Sequence, residues 1–315
     1  MKTPVKIILV SVFTLIICSF SVAQEKSKMP KASEGKIERL ENFNSKYVTP
    51  RNIDIWLPKN YSKQEKYAVL YMHDGQMLYD STTTWNKQEW EVDEVVSRLI
   101  KEDKIKKCIV VGIWNAGKER HPDYFPAKAF ELLSDEAEKT LRAQIKEKSG
   151  MEIFPNGISS DRYLKFIVEE LKPYIDKNYS VLSDKENTFI AGSSMGGLIS
   201  MYAVCEYPQI FKGAACISTH WPGVYPLKNN PVPKAFADYM KANLPDAELN
   251  KFYFDYGTET LDAHYEPHQL MIDKIMKEKG YSAKNWKTLK FEGENHSERS
   301  WQKRFDIPVL FLLKK

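Results

Sequence analysis

Residues 187–206 read NTFIAGSSMGGLISMYAVCE, and the order of their patterns decides which folds are open to the chain. NTFIAG (187–192) is a short apolar run of the length and composition of a buried strand. After Gly192-Ser193-Ser194-Met195-Gly196, the residues Met195, Leu198, Ile199, Tyr202 and Ala203 recur at helical spacing, the stripe of a helix that faces a core. A G-x-S-x-G pentapeptide is short enough to arise by chance, so its flanks carry the reading: strand, tight turn, helix. The glycines permit a sharp turn and a close approach of strand and helix. Ser194 is thereby lifted out at the carboxyl end of a sheet, beside a helix amino terminus that favours developing negative charge. Those are the conditions of a nucleophilic serine.

Outward from this stretch the same alternation repeats. KIERLENF and RNIDIWLP predict a strand pair, and YAVLYMHD (67–74) and KCIVVGIW (107–114) predict buried strands with a helix over 91–100 between them. Residues 160–178 predict one helix; FKGAACIS (211–218), KFYFDYG (251–257) and WKTLKFEG (286–293) predict strands, with a helix over 264–279 ended by Gly280. Strands alternating with helices imply an α/β domain over 36–315, with a mostly parallel central sheet and helices on both faces. Residues 115–159 are long for a connection and are expected to be a substrate-side insertion.

The amino terminus has its own logic. Lys2 and Lys6 flank the start of an apolar run from Ile7 to Phe20, followed by Ser21-Val22-Ala23 and polar residues. This describes a secretory signal peptide cut after Ala23, and the run is short for a membrane span. QEKSKMPKASEG (24–35) has no periodicity and is expected to be a flexible leader. The exported, periplasmic or extracellular chain would keep a net charge of about +2 out of +4, too little to point to nucleic acid or an anionic membrane. It keeps Cys108, Cys205 and Cys216, an odd number in apolar surroundings, expected as buried free thiols.

A serine hydroxyl needs a base. His296, in GENHSERSW past the last strand, is the histidine late enough to leave room for an acid between it and Ser194. His264 and His268 stand four apart, a spacing able to hold a metal, but no third ligand is evident and Pro267 interrupts the turn. The chemistry is therefore read without metal or cofactor. The acid should follow KFYFDYG, where GTETLDAHY offers Asp262, the preferred choice, and Glu259. It would hold one tautomer of His296 and stabilise the imidazolium. For an oxyanion hole, the backbone N–H groups of Met195 and of Gln76, in the loop His73-Asp74-Gly75-Gln76, are assigned, with Gly75 letting that loop fold back tightly. Trp85, Trp221, Arg120 and Tyr124 are candidate substrate contacts, and Tyr79, Trp90 and Tyr225 lie in the same loops.

YMHDGQMLYD, AGSSMGGLISMYAVCEYPQIFKGAACIS, YGTETLDAHY and GENHSERSW together resemble the putative esterase family of α/β-hydrolases, which groups enterochelin-esterase-like, feruloyl- and acetyl-esterase-like and esterase-D-like members. The resemblance spans roughly residues 36–315 in the same order. It implies Ser194 as nucleophile, His296 as base, an acid in the GTETLD loop and an oxyanion contribution from the HDGQ loop. The spacing from Gly257 usual in several relatives would point to Glu259, which keeps both carboxylates open. The function expected is hydrolysis of a carboxylic ester, of an acylated sugar, a plant-type acyl group or a siderophore, through an acyl-enzyme. The partner is then a small-molecule or oligosaccharide ester. Acyl transfer on the same scaffold is the enzymatic alternative, and a catalytically silent carbohydrate- or siderophore-binding protein is the alternative from another class.

Overall fold

The computed structural model describes residues 27–150, 152–224, 227 and 229–315. The expected signal peptide, residues 1–23, and Tyr225 lie outside them. Eight strands form one sheet: β1 (Lys36–Phe43), β2 (Arg51–Leu57), β3 (Ala68–His73), β4 (Cys108–Ile113), β5 (Thr188–Ser193), β6 (Gly213–Ile217), β7 (Lys251–Gly257) and β8 (Trp286–Phe291). Their order is β1-β2-β4-β3-β5-β6-β7-β8. β1 and β2 run antiparallel, as a short connection permits, and β2 meets β4 antiparallel; every later neighbour is parallel.

The parallel strands are buried on both sides, which is why they read as unbroken apolar runs. Alternate side chains of β3 feed two cores: Val69 and Tyr71 one, Ala68, Leu70 and Met72 the other. The first core is covered by α2 (Arg120–Tyr124), α3 (Ala127–Phe130), α4 (Asp135–Ser149), α5 (Ser160–Lys165), α6 (Lys172–Asn178), α7 (Met195–Glu206), α8 (Val232–Asn243) and α9 (Glu266–Glu278). The second lies under α1 (Val92–Lys101), α10 (Glu298–Gln302) and α11 (Asp306–Leu313). The fold is α/β with helices on both faces, and among the described residues no helix is long and apolar enough to cross a membrane. Cys108, Cys205 and Cys216 are buried free thiols, and burial pushes each thiol up from its ordinary value.

Four features differ from the sequence reading. The stripe on α7 is incomplete: every residue from Met195 to Cys205 is buried, because the helix lies between β5 and β6 on one side and α2 and α8 on the other. The helix expected over 160–178 is α5, a π-helical turn Phe166–Leu171 and α6. Pro173 has no N–H for the turn before it, and the wider turn lies directly upstream. The leader is not loose from Ser27 on. Its own main chain is the partner: the N–H groups of Lys31 and Ser33 donate to Asp80 (2.9 Å) and Asp93 (2.6 Å), and Glu34 O accepts from the Trp56 indole (2.7 Å). Finally, the segment 115–159 places Phe125, Phe130, Leu141, Ile145 and Phe154 in the first core, so most of it is packing and only its start reaches the cleft described below.

Candidate active site

β5 ends at Ser193 and α7 begins at Met195; between them Ser194 adopts φ 58°, ψ −121°. The sharp turn is thus carried by the serine itself. The glycines serve close approach: a Cβ on Gly192 would stand 2.8 Å from the carbonyl of Gly196, and one on Gly197 would stand 2.9 Å from Thr219 Oγ1. The backbone of Ser194 is held on both sides, its N–H donating to Ile217 O (2.9 Å) and its carbonyl accepting from Gly197 (3.0 Å) and His220 (3.2 Å). Met195 is the first residue of α7, so its N–H has no intrahelical acceptor.

Beyond β7 a 3-10 turn, Thr260–His264, carries Asp262 into the interior, where it is 1% exposed. Its Oδ1 lies 2.5 Å from Nδ1 of His296, and its Oδ2 accepts from Gly257 N (2.7 Å) and Ser218 Oγ (2.5 Å). Burial alone would raise this carboxyl, but the hydrogen bonds from His296, Ser218 and Gly257 outweigh it and hold the group below the ordinary carboxylate value. An ionised carboxylate only accepts, so Nδ1 of His296 is the donor in this contact, which leaves Nε2 as the ring nitrogen outside it. Thr260 Oγ1 accepts from the His296 N–H (3.0 Å), and the imidazole packs edge-on against Trp301 (5.0 Å) and Tyr265 (5.9 Å). Glu259 is exposed, with its backbone tied to Glu294 O (3.0 Å).

Ser194 and His296 line one cleft of about 570 Å³, together with Gln76, Trp85 and Arg120. Gln76 sits in the 3-10 turn Gly75–Met77, ahead of the first amide that closes the turn, Met77 N to Asp74 O at 2.9 Å. The tight fold-back is carried by Asp74, at φ 56°, rather than by Gly75. Gly75 is needed because its Cα side presses on β4, where a Cβ would stand 2.4 Å from the carbonyl carbon of Gly112. Arg120 clamps Asp74 through two bonds of 2.8 Å, with Asn115 adding a third at 2.7 Å. Burial would raise Asp74, and Arg120 overrides it, so the pair stays charged and braces the loop that presents Gln76.

Two expected substrate contacts are not brought to the cleft. Trp221 is 1% exposed and donates its indole N–H to Gln269 (2.8 Å), and Tyr124 is fully buried beneath Asp74, whose N–H it accepts at 3.3 Å. Neither has free surface to offer. Trp85, 83% exposed at the cleft, has it in full. Of the other histidines, His73 and His220 are buried against Tyr163 and Tyr265, and burial pushes each down to about 3, so both stay neutral. His121 Nε2 donates to the carbonyl oxygen of Gly223 at 2.9 Å. Sequence reading missed Ser218, Thr260 and Tyr265. Ser218 lies 44 residues from the carboxylate it touches, and no local pattern signals such a contact.

The family model described as Putative esterase matches residues 45–307. An endo-1,4-beta-xylanase/feruloyl esterase of Xylanibacter ruminicola is 27% identical over 187 residues, 57% of this chain and 21% of that protein. Ferri-bacillibactin esterase BesA of Bacillus subtilis is 25% identical over 164 residues, 51% of each chain. The chain thus spans a fifth and a half of the length of these two curated relatives. A solved ferulic acid esterase of Anaeromyces mucronatus shares the fold, with a TM-score of 0.61 at 17% identity over 90% of this chain and 92% of that one. With the family model covering most of its length, the chain belongs to the Putative esterase family.

Proposed function

We propose that the protein is an exported serine esterase that cleaves carboxylic esters through an acyl-enzyme on Ser194. The observation that carries this reading is the shared cleft: a serine on a strained strand–helix turn and a histidine whose other nitrogen is bound to a buried carboxylate. His296 Nε2 takes the Ser194 proton as Oγ attacks the ester carbonyl, and Asp262 stabilises the imidazolium without taking that proton. The N–H groups of Met195 and Gln76 receive the developing oxyanion. His296 returns the proton to the departing alcohol, then activates a water that releases the acid and frees Ser194.

For substrate, the names of the relatives point to feruloyl and siderophore esters. A cleft with an exposed tryptophan at its rim and amide side chains on its walls suits an ester that joins a ring to a polyhydroxylated or polar part. Export rests on residues 1–23, and sequencing the amino terminus of secreted protein should begin at Gln24. The test of the chemistry is covalent: an organophosphonate should label Ser194, lose that label in Ser194→Ala, and abolish hydrolysis of feruloyl and acetyl esters. Labelling at Ser193, or undiminished turnover by Ser194→Ala, would sink the reading.

A further inference from the structure

Ser218 follows β6, is fully buried, and holds φ +42°, a conformation disfavoured for any residue with a side chain. Its hydroxyl has three neighbours. Trp301 Nε1 and Arg304 Nη2 each lie 2.9 Å away, and Asp262 Oδ2 lies 2.5 Å away. An indole N–H and a guanidinium can only donate. The hydroxyl must therefore accept from both of them, and its single proton has one destination, the carboxylate of Asp262.

We propose that Ser218 is a positioning residue for the reaction: it fixes the Asp262 carboxylate, with the direction of its proton dictated by Trp301 and Arg304. The inference rests on the reading of Ser194, His296 and Asp262 as the reacting set. Oδ2 of Asp262 is occupied by Ser218 and Gly257 N, which leaves Oδ1 to His296 alone. Arg304 is itself anchored, its Nη2 also donating to Asp255 (3.0 Å), and Asp255 in turn accepts from Ser218 N (3.0 Å) and Tyr253 OH (2.9 Å). Asp255, buried within β7, is the far end of this chain. The order is Asp255, Arg304, Ser218, Asp262, His296, drawn from three stretches of the chain, at 218, 255–262 and 296–304. The positive φ of Ser218 fits the same account, since the backbone is bent to aim the hydroxyl at Asp262 while its N–H reaches Asp255.

Ser218→Ala and Ser218→Gly both remove the hydroxyl, and the glycine also relieves the backbone, so the pair separates a folding defect from loss of the contact. Thermal melts establish folding first. With a small aryl ester, each is expected to lower kcat about ten- to thirtyfold, the worth of one charge-assisted hydrogen bond, with KM within about twofold. In an Asp262→Asn background the same substitutions should cause almost no further loss, because the contact acts through that carboxylate. The far-downfield proton resonance between His296 and Asp262 should shift or vanish in the Ser218 variants, a readout that general loosening of the fold elsewhere would not move. Wild-type kcat in folded Ser218→Gly, or a full loss added on top of Asp262→Asn, overturns the proposal. Wild-type activity in Asp262→Asn alone overturns instead the assignment of the acid on which it rests.

Discussion

Ser194 holds φ 58° and ψ −121°, a conformation glycine adopts freely and one that costs a serine about 1–3 kcal/mol. Its main-chain bonds to Ile217, Gly197 and His220 keep it there. Two variants separate backbone from side chain. Ser194→Ala keeps the strain and loses the hydroxyl; Ser194→Gly loses both. Each should drop kcat by at least about 10⁴-fold, while Ser194→Gly melts about 2 °C above Ser194→Ala, the effect of roughly 1 kcal/mol in a chain of this size. A Ser194→Gly melting temperature below that of Ser194→Ala would show that the turn is unstrained, since glycine would then only add freedom to the unfolded chain. Asp262 is buried and bonded to His296, whereas Glu259 is exposed. Asp262→Asn should therefore lower kcat by up to ~10⁴-fold, and Glu259→Gln by less than about tenfold. The reverse ranking, in folded variants, moves the acid to Glu259. Ser194 and His296 were legible because one sits in a strand–turn–helix and the other in a chain order. For the acid the sequence prefers Asp262 and keeps Glu259 open, because both closely follow β7 and it takes a partner 34 residues from Asp262 to distinguish them.

The leader and α1 form a unit that the pattern of apolar residues does not reveal. Asp93, in the first turn of α1 and fully buried, receives the N–H groups of Ser33 (2.6 Å) and Glu34 (3.1 Å). Burial and the adjoining Glu94 carboxyl nonetheless raise Asp93 well above the ordinary carboxylate range. For a group raised on folding, the stabilisation is complete below its unfolded value, near 4, and is lost as pH rises through the folded value. The contact between the leader and α1 should accordingly weaken from mildly acidic towards neutral and alkaline pH. Asp93→Asn keeps an acceptor for the two amides and has nothing to ionise, so it should flatten the decline of melting temperature with rising pH. A variant whose pH–stability curve is parallel to that of the parent would refute this. Helices α8 and α11 were invisible to sequence reading for separate reasons. VPKAFADYMKAN follows an Asn- and Pro-rich stretch that reads as loop. DIPVLFLL is apolar throughout, and a short apolar run has no period by which helix and strand can be told apart.

The cleft is made by segments far apart in the chain. Residues 74–90 follow β3, Asn115 and Arg120 follow β4, and His296 to Trp301 lie beyond β8. Asn86 Nδ2 donates to Glu298 (2.8 Å) and Gln88 Oε1 accepts from Arg299 N (3.3 Å), joining walls more than 200 residues apart. Alternation of strands and helices made the parallel sheet legible. The order that puts β4 outside β3, and so brings Arg120 to Asp74, was not, since buried parallel strands read alike whichever neighbour they have. Trp85 stands on this assembled rim with 83% of its surface open, and an indole so exposed contributes little to folding. Its removal therefore tests the cleft without testing the fold. Trp85→Ala should leave the melting temperature unchanged and kcat near that of the parent. It should raise KM about three- to tenfold for feruloylated oligosaccharides, the effect of losing one stacked ring, and leave KM for a small acetyl ester unaltered. That split locates the loss at binding of the larger substrate's distal part. A fall in kcat on both substrates would instead tie Trp85 to the geometry of His296 across the cleft, and an unchanged KM on both would remove it from the substrate path.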